Sequence, residues 1–166
     1  PTLSEAVLNS SNRNRVVTIA HKPLSAMILS GRKGECFWLN KEGKWMSADC
    51  YMEELPTWVR NSNSDDMNRV YATDKWYGRF TRDRYRNSRS TDIILYEKSG
   101  AKRSQSSRKL SSSWVADMMT MPSGNIAIFE FAKRAVESML PLHVEDECKM
   151  INICLDVPRI VAERYG

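Results

Sequence analysis

Apolar and polar positions change places in short runs over the first third of the chain and settle into a helical period only late. Residues 1–14 read as a short helix or arm that ends in a polar turn. Arg15–Ala20 is rich in β-branched residues and predicts a strand. His21-Lys22-Pro23 reads as a turn, because proline fixes φ and lacks the N–H that a ladder needs. Leu24–Ser30 then predicts a second strand and Ser30-Gly31-Arg32-Lys33-Gly34 a second turn. Glu35–Leu39 predicts a third strand, Asn40–Gly43 a tight turn, and Lys44–Ala48 a fourth strand. Glu53–Arg60 predicts a short helix.

Asn61–Asn68 is polar and acidic and fits a linker, after which the pattern restarts. Arg69–Thr73, Trp76–Arg82 (reaching towards Arg86) and Asp92–Glu97 are candidate strands. Ser99–Lys109 reads as a flexible basic loop, and Ser112–Thr120 holds a further candidate strand. Asn125–Leu140 is the clearest helix, with Ile126, Phe129, Ala132, Val136, Met139 and Leu140 on one face. Ser123 or Asn125 caps its start and Pro141 stops it. Met150–Asp156 reads as extended and Pro158–Arg164 as a terminal helix with proline in its first turn. The expectation is an α+β fold: two four-stranded antiparallel sheets, each followed by a helix, a duplicated ββββα plan. It forms a single domain over 1–166, with pseudo-repeats at about 15–60 and 69–140 and a C-terminal addition at 145–166.

Composition narrows the class. The chain has 166 residues, 42% hydrophobic and 27% charged, which is ordinary for a globular domain and argues against wholesale disorder. It contains no run of about 18 apolar residues, so no membrane span is expected. The N-terminus lacks the basic-then-apolar pattern of a signal peptide. Four cysteines (Cys36, Cys50, Cys148, Cys154) are too few and too irregular for a disulfide scaffold, and read as free thiols of an intracellular, reducing compartment.

The formal charge is +5, and it is unevenly placed. Lys75–Lys109 carries eleven basic residues against Asp83, Asp92 and Glu97, a local +8 that leaves −3 for the rest. Within it, Lys75, Arg79, Arg82, Arg84, Arg86 and Arg89 interleave with Trp76, Tyr77, Phe80 and Tyr85. Cations for phosphates and aromatic faces for bases are what single-stranded nucleic acid asks for. The structural alternative is a twisted strand with core aromatics and solvated arginines. Lys102, Arg103, Arg108 and Lys109 stand among serines in a loop able to close over a phosphate backbone, or simply solvated. Phosphorylation of those serines would cancel the charge. Trp38 and Trp45 flank a tight turn, with Lys44 at the start of the strand after it, and either stack bases or pack in the core. Arg32 and Lys33 lie at a hairpin tip. The glycines around them do not make a nucleotide loop, because the Gly-Lys-Ser/Thr ending and a following helix are missing.

Catalytic and metal signals are sparse. His21 and His143 have no serine or cysteine motif around them, and no carboxylate pair sits in an acid/base frame. His143, Cys148 and Cys154, with Glu145, Asp146 and Glu147, match no zinc spacing. No catalytic residue, metal or cofactor is expected.

Glu35-Cys36-Phe37-Trp38-Leu39, the Lys41-Glu42-Gly43 turn and Lys44-Trp45-Met46-Ser47 resemble the paired aromatic strands of the Whirly and PUR-type nucleic-acid-binding proteins. Trp76-Tyr77-Gly78-Arg79-Phe80 resembles the glycine-then-basic/aromatic strand of PUR repeats, and Asn125-Ile126-Ala127-Ile128-Phe129 resembles the start of the last Whirly helix. The kinetoplastid mitochondrial RNA-binding proteins share the plan. The resemblance implies binding of single-stranded DNA or RNA, assembly into homo- or hetero-oligomers, and a mitochondrial location. The resulting expectation is non-catalytic binding of single-stranded nucleic acid, RNA before DNA, aiding strand annealing. The alternative is a matrix- or adaptor-like protein whose basic face meets a membrane or an acidic partner.

Overall fold

Five of the six residues of β1 (Arg15–Ala20) are buried, so neither face of this strand meets water. A β-branched run covered on both sides is the mark of a strand inside a parallel sheet. The computed structural model describes residues 2–65, 67–71, 114–139 and 147–160, and it places β1 inside one four-stranded sheet. Its other strands are β2 (Glu35–Leu39), β3 (Trp45–Met46) and β4 (Lys149–Cys154), in the order β3-β2-β1-β4. β1 runs parallel to β2, pairing Val17 with Glu35 and Ala20 with Trp38. It also runs parallel to β4, from Arg15 opposite Lys149 to Ala20 opposite Cys154. Only β2 and β3 are antiparallel among the described strands.

This corrects the expected pair of antiparallel sheets. Parallel neighbours cannot be joined by a hairpin and need a crossover. The segment expected as a second strand supplies it, as α2 (Pro23–Ser30). Pro23 occupies the first turn, where its missing N–H costs nothing, and Leu24, Ala26, Met27 and Leu29 are strong helix formers. Gly31 ends the helix with its N–H donating to the Met27 carbonyl at 3.0 Å. Of the restart, Arg69 and Val70 lie in a short helix, α4 (Met67–Val70), not a strand. The strand expected at Ser112–Thr120 contains α5 (Trp114–Met118). The candidate strands at Trp76–Arg82 and Asp92–Glu97 lie outside the described residues.

Alternation along the strands sorts the core into two layers. Ala20, Cys36 and Trp38 point to the face covered by α2, where they meet Ala26. Val17, Ile19, Phe37, Leu39 and Trp45 point to the other face. There they meet α3 (Thr57–Ser64) through Val59, and α6 (Pro122–Met139) through Ala127, Ile128, Phe131, Ala132, Ala135 and Met139. Burying each large apolar side chain stabilises by about 1.5–3 kcal/mol. The expected face of α6 is rotated: Ile126, Phe129 and Val136 are exposed, while the small Ala127 and Ala135 face the sheet.

The first helix, α1 (Leu3–Ser10), is held by a capping box between Thr2 and Glu5. Glu5 also accepts the Arg32 N–H at 3.1 Å, which ties α1 to the turn after α2. Asn152 of β4 donates to Ser4 Oγ at 2.9 Å and to Thr18 Oγ1 at 3.0 Å, so the polar groups under α1 are paired. The turn before β3 needs Gly43, whose φ of 78° and whose contact with the Trp114 ring leave no room for a Cβ. No helix among the described residues is long and apolar enough to cross a membrane.

Candidate functional site

Because β1 and β4 are parallel neighbours in register, their carboxyl ends finish side by side. His21 and Lys22 leave β1 where Leu155 and Asp156 leave β4. Sheets of this kind bind ligands beyond the carboxyl ends of their strands. Two helix starts converge on the same place. α2 begins directly after Lys22, which is its N-cap and makes no side-chain capping bond. The first turn of α6 arrives from the other face. Gly124 makes that approach possible, since a Cβ there would lie 2.8 Å from the Met118 carbonyl and 3.1 Å from Val157 Cγ2.

His21 is 1% exposed, and its Nε2 lies 2.8 Å from the Gly124 carbonyl. A carbonyl only accepts, so Nε2 carries the proton and Nδ1 keeps a lone pair. Burial pushes the His21 pKa down; the Gly124 carbonyl and the Asp156 charge pull against this without reversing it. The ring is therefore neutral near pH 7. Asp156 is also buried. Its Oδ1 accepts from Ser25 Oγ at 3.0 Å and from the Cys154 thiol at 3.7 Å, and the Arg159 guanidinium stands 3.9 Å away. Asp156 Oδ2 and His21 Nδ1 are buried without a protein partner, as are Ser123 Oγ and Asn125 Oδ1 in the first turn of α6. Unpaired buried acceptors are costly and call for a donor.

The corner thus has two chemical sides. Lys22, Arg159 and the first-turn amides of α2 are donors suited to an anion. His21 Nδ1 and Asp156 Oδ2 are acceptors suited to water or another donor. Among the described residues, no three His, Cys, Asp or Glu side chains converge to hold a metal ion.

A second concavity, about 470 Å³, lies between α3 and α6 and is lined by Trp58, Asn61, Glu130, Lys133, Arg134, Glu137 and Ser138. Arg134 there pairs with Asp65 at 2.8 Å and Lys133 with Glu130 at 2.5 Å. It lies between two helices rather than beyond the carboxyl ends of strands, where sheets of this kind bind ligands, and is the weaker candidate.

The residues expected to bind nucleic acid do not gather at either place. Trp38 and Trp45 are buried on opposite faces of the sheet, so neither offers a ring to a base. Lys44 Nζ donates to the Asn63 carbonyl. Arg32 and Lys33 are exposed near α1, where Lys33 Nζ donates to Asn9 Oδ1 at 2.8 Å. Lys75, Trp76, Tyr77, Arg79, Arg82, Arg84, Tyr85, Arg86, Arg89, Lys102, Arg103, Arg108 and Lys109 lie outside the described residues. So do His143, Glu145 and Asp146. All four cysteines are free thiols. The corner residues Ser25, Gly124, Asp156 and Arg159 carried no sequence signal of their own. The available cue was the β-branched run ending at a His-Lys-Pro turn, once Leu24–Ser30 is read as a helix.

No family model matches the chain. Its sequence is similar to alkaline phosphatase PhoV of Synechococcus elongatus, 27% identical over 143 residues, which covers 81% of this chain and 26% of that protein. It is also similar to a calcium-transporting ATPase of Myroides odoratus, 28% identical over 158 residues, covering 87% of this chain and 29% of the relative. The chain therefore spans less than a third of the length of the curated relatives it matches. Its fold resembles the crystal structure of alkaline phosphatase PafA, with a TM-score of 0.70 and 17% identity, over 95% of this chain and 32% of that one. A substituted variant of PafA matches equally well.

These findings overturn the Whirly and PUR-type resemblance, whose aromatic strand pair proves to be β2 and β3 of a mixed sheet. They equally overturn the non-catalytic reading of the chain as an RNA- or DNA-binding protein, because the relatives are named as phosphatase and ATPase. Neither a nucleic-acid partner nor an oligomer finds support. The architecture, one mixed sheet with helices on both faces, is similar to about a third of an alkaline phosphatase.

Proposed function

We propose that this chain forms part of a phosphate-ester hydrolase and that the carboxyl ends of β1 and β4 contribute to its substrate site. The observation that carries the reading is the corner itself, in a framework similar to that of an alkaline phosphatase. Lys22 and the start of α2 stand there beside the buried Asp156 and His21. Both sequence relatives have names that denote phosphoryl chemistry.

The division of labour follows from which groups donate. The phosphate oxygens face the Lys22 ammonium, the Arg159 guanidinium and the first-turn amides of α2. The Ser25–Asp156 bond fixes the start of α2 against the end of β4, so those donors keep their place. Like charge keeps phosphate oxygens away from Asp156 Oδ2. That oxygen and His21 Nδ1 instead face a donor, such as water at the site. The chain spans a third or less of its relatives, so the remaining groups of a complete site come from outside the described residues.

The test is calorimetric titration of inorganic phosphate into the protein and into Lys22→Ala, beside assays of p-nitrophenyl phosphate hydrolysis. Removing one charge-assisted contact weakens phosphate binding about tenfold or more. Absence of binding by the folded wild-type chain at millimolar phosphate, or equal binding by the variant, overturns the reading.

A further inference from the structure

The two ends of the β1–β4 pair differ in surface chemistry. The amino end is charged and paired: Arg15 bonds Glu35 at 2.8 Å, and Lys149 lies 3.2 Å from Glu147. The carboxyl end has its charges at Lys22, Asp156 and Arg159, the last two 3.9 Å apart, and among the described residues next to them in sequence the exposed side chains are apolar. Leu24, two residues from Lys22, is 67% exposed. Leu155 leaves β4 beside His21 and is 39% exposed, although its neighbour Asp156 is buried. Pro23 is exposed as well.

From this rim we infer that the phosphate esters this corner accepts carry an apolar organic group, an alkyl or aryl chain rather than a sugar or nucleoside. The inference rests on the phosphate-site reading above and adds the class of ester. A sugar or nucleoside presents many donors and acceptors that lose water on binding, and each must be repaid by a polar partner. Among the described residues the rim offers Pro23, Leu24 and Leu155, which repay none of them. An apolar chain loses no hydrogen bonds there and gains the transfer of its own surface and that of the leucines out of water. Two buried features fix the corner independently of the rim. The Asp156 carboxylate is tied through Oδ1 to Ser25, in the first turn of α2, and its Oδ2 is unpartnered. The His21 ring is locked to Gly124 on the other side. Exposed apolar side chains thus stand next in the chain to polar groups that are already held in position.

The experiment is a calorimetric series with non-hydrolysable probes: inorganic phosphate, methylphosphonate, butylphosphonate and hexylphosphonate. The expected result is affinity that climbs with chain length, with hexylphosphonate about tenfold or more tighter than methylphosphonate. In the double variant Leu24→Gln, Leu155→Gln, with its fold checked by circular dichroism, the climb falls to about threefold or less. Binding of phosphate and all phosphonates with equal affinity overturns the apolar-ester inference and leaves the phosphate site standing. So does an undiminished climb in the double variant. Absence of binding by phosphate and phosphonates alike overturns the phosphate-site reading and the inference with it.

Discussion

Phe131 of α6 lies flat against Trp45 of β3, with ring centroids 3.9 Å apart and planes 10° from parallel. Both side chains are buried, and Phe131 also meets Phe37 edge-on at 5.9 Å and Trp58 at 4.8 Å. One ring thus joins α6 to β2, β3 and α3. Phe131→Ala is expected to cost about 3–5 kcal/mol, a large part of the 5–15 kcal/mol that typically holds a domain together. Phe131→Leu, which keeps most of the volume, costs less. Denaturant unfolding followed by tryptophan fluorescence measures both. An alanine variant within about 1 kcal/mol of wild type would contradict the stack as an organiser of the core.

β3 is only two residues long and is completed by a side chain. Asn63 of α3 accepts the Trp45 N–H at 2.7 Å and donates to the Trp45 carbonyl at 2.8 Å, in the manner of a further strand. Asn63→Ala leaves both backbone groups without these bonds and is expected to cost about 1–3 kcal/mol. Asn63→Asp keeps the acceptor and loses the donor, and falls between. Hydrogen exchange at the Trp45 amide separates the two. Faster exchange in the alanine variant and near-native protection in the aspartate variant are the expected pattern. Unchanged protection in the alanine variant would mean that other groups close this edge.

Some of this was legible in the sequence. β1 and β2 stand out because β-branched and aromatic residues crowd into six and five positions, and they fold as strands. α2 was hidden: an uncharged run of eight residues has no polar face, so helix and buried strand read alike. In α6 the helix was legible and its facing was not. Ala127 and Ala135 weigh little in a hydrophobic pattern, yet small side chains let a helix lie close to a sheet, while the larger Ile126, Phe129 and Val136 stay outside. The candidate corner needed the pairing of β1 with β4, which brings Ser25 to Asp156 across 131 positions of sequence. No local pattern encodes a contact of that length. The charge-rich 75–109 window drew the functional reading to itself, and it lies outside the described residues.

The cysteines should divide sharply by reactivity. Cys36 is fully buried, and burial pushes its thiol up to about 11; the nearby Tyr51, Ser30 and Ser47 hydroxyls offset only part of the effect. Cys50 and Cys148 are exposed. At pH 8 the thiolate fraction of Cys36 is on the order of a hundredfold below that of an ordinary thiol near 8.5, before access is counted. Alkylation followed by mass spectrometry should therefore mark Cys50 and Cys148 first, and Cys36 only as the protein unfolds. Labelling of Cys36 at the same rate as Cys50 in folded protein would contradict its burial under α2.

His21 should make the fold sensitive to mild acid. Its pKa is lowered from an ordinary value near 6.5 because burial disfavours the imidazolium. The unfolded chain therefore takes up the proton at higher pH than the folded one, and stability rises with pH wherever the unfolded state binds more protons. The contribution is fully present above the unfolded value. It is lost progressively as pH falls from about 6.5 towards the lower folded value, and below that the loss levels off. His21→Gln offers an uncharged donor to the Gly124 carbonyl and has nothing to titrate. The expected result is a wild-type unfolding midpoint that drops between pH 7 and pH 5 more steeply than that of the variant. The difference between the two curves isolates His21 from His143 and the carboxylates. Parallel curves would mean that the folded protein accommodates a charged ring at the end of β1, and that the acceptor side of the corner is open to water.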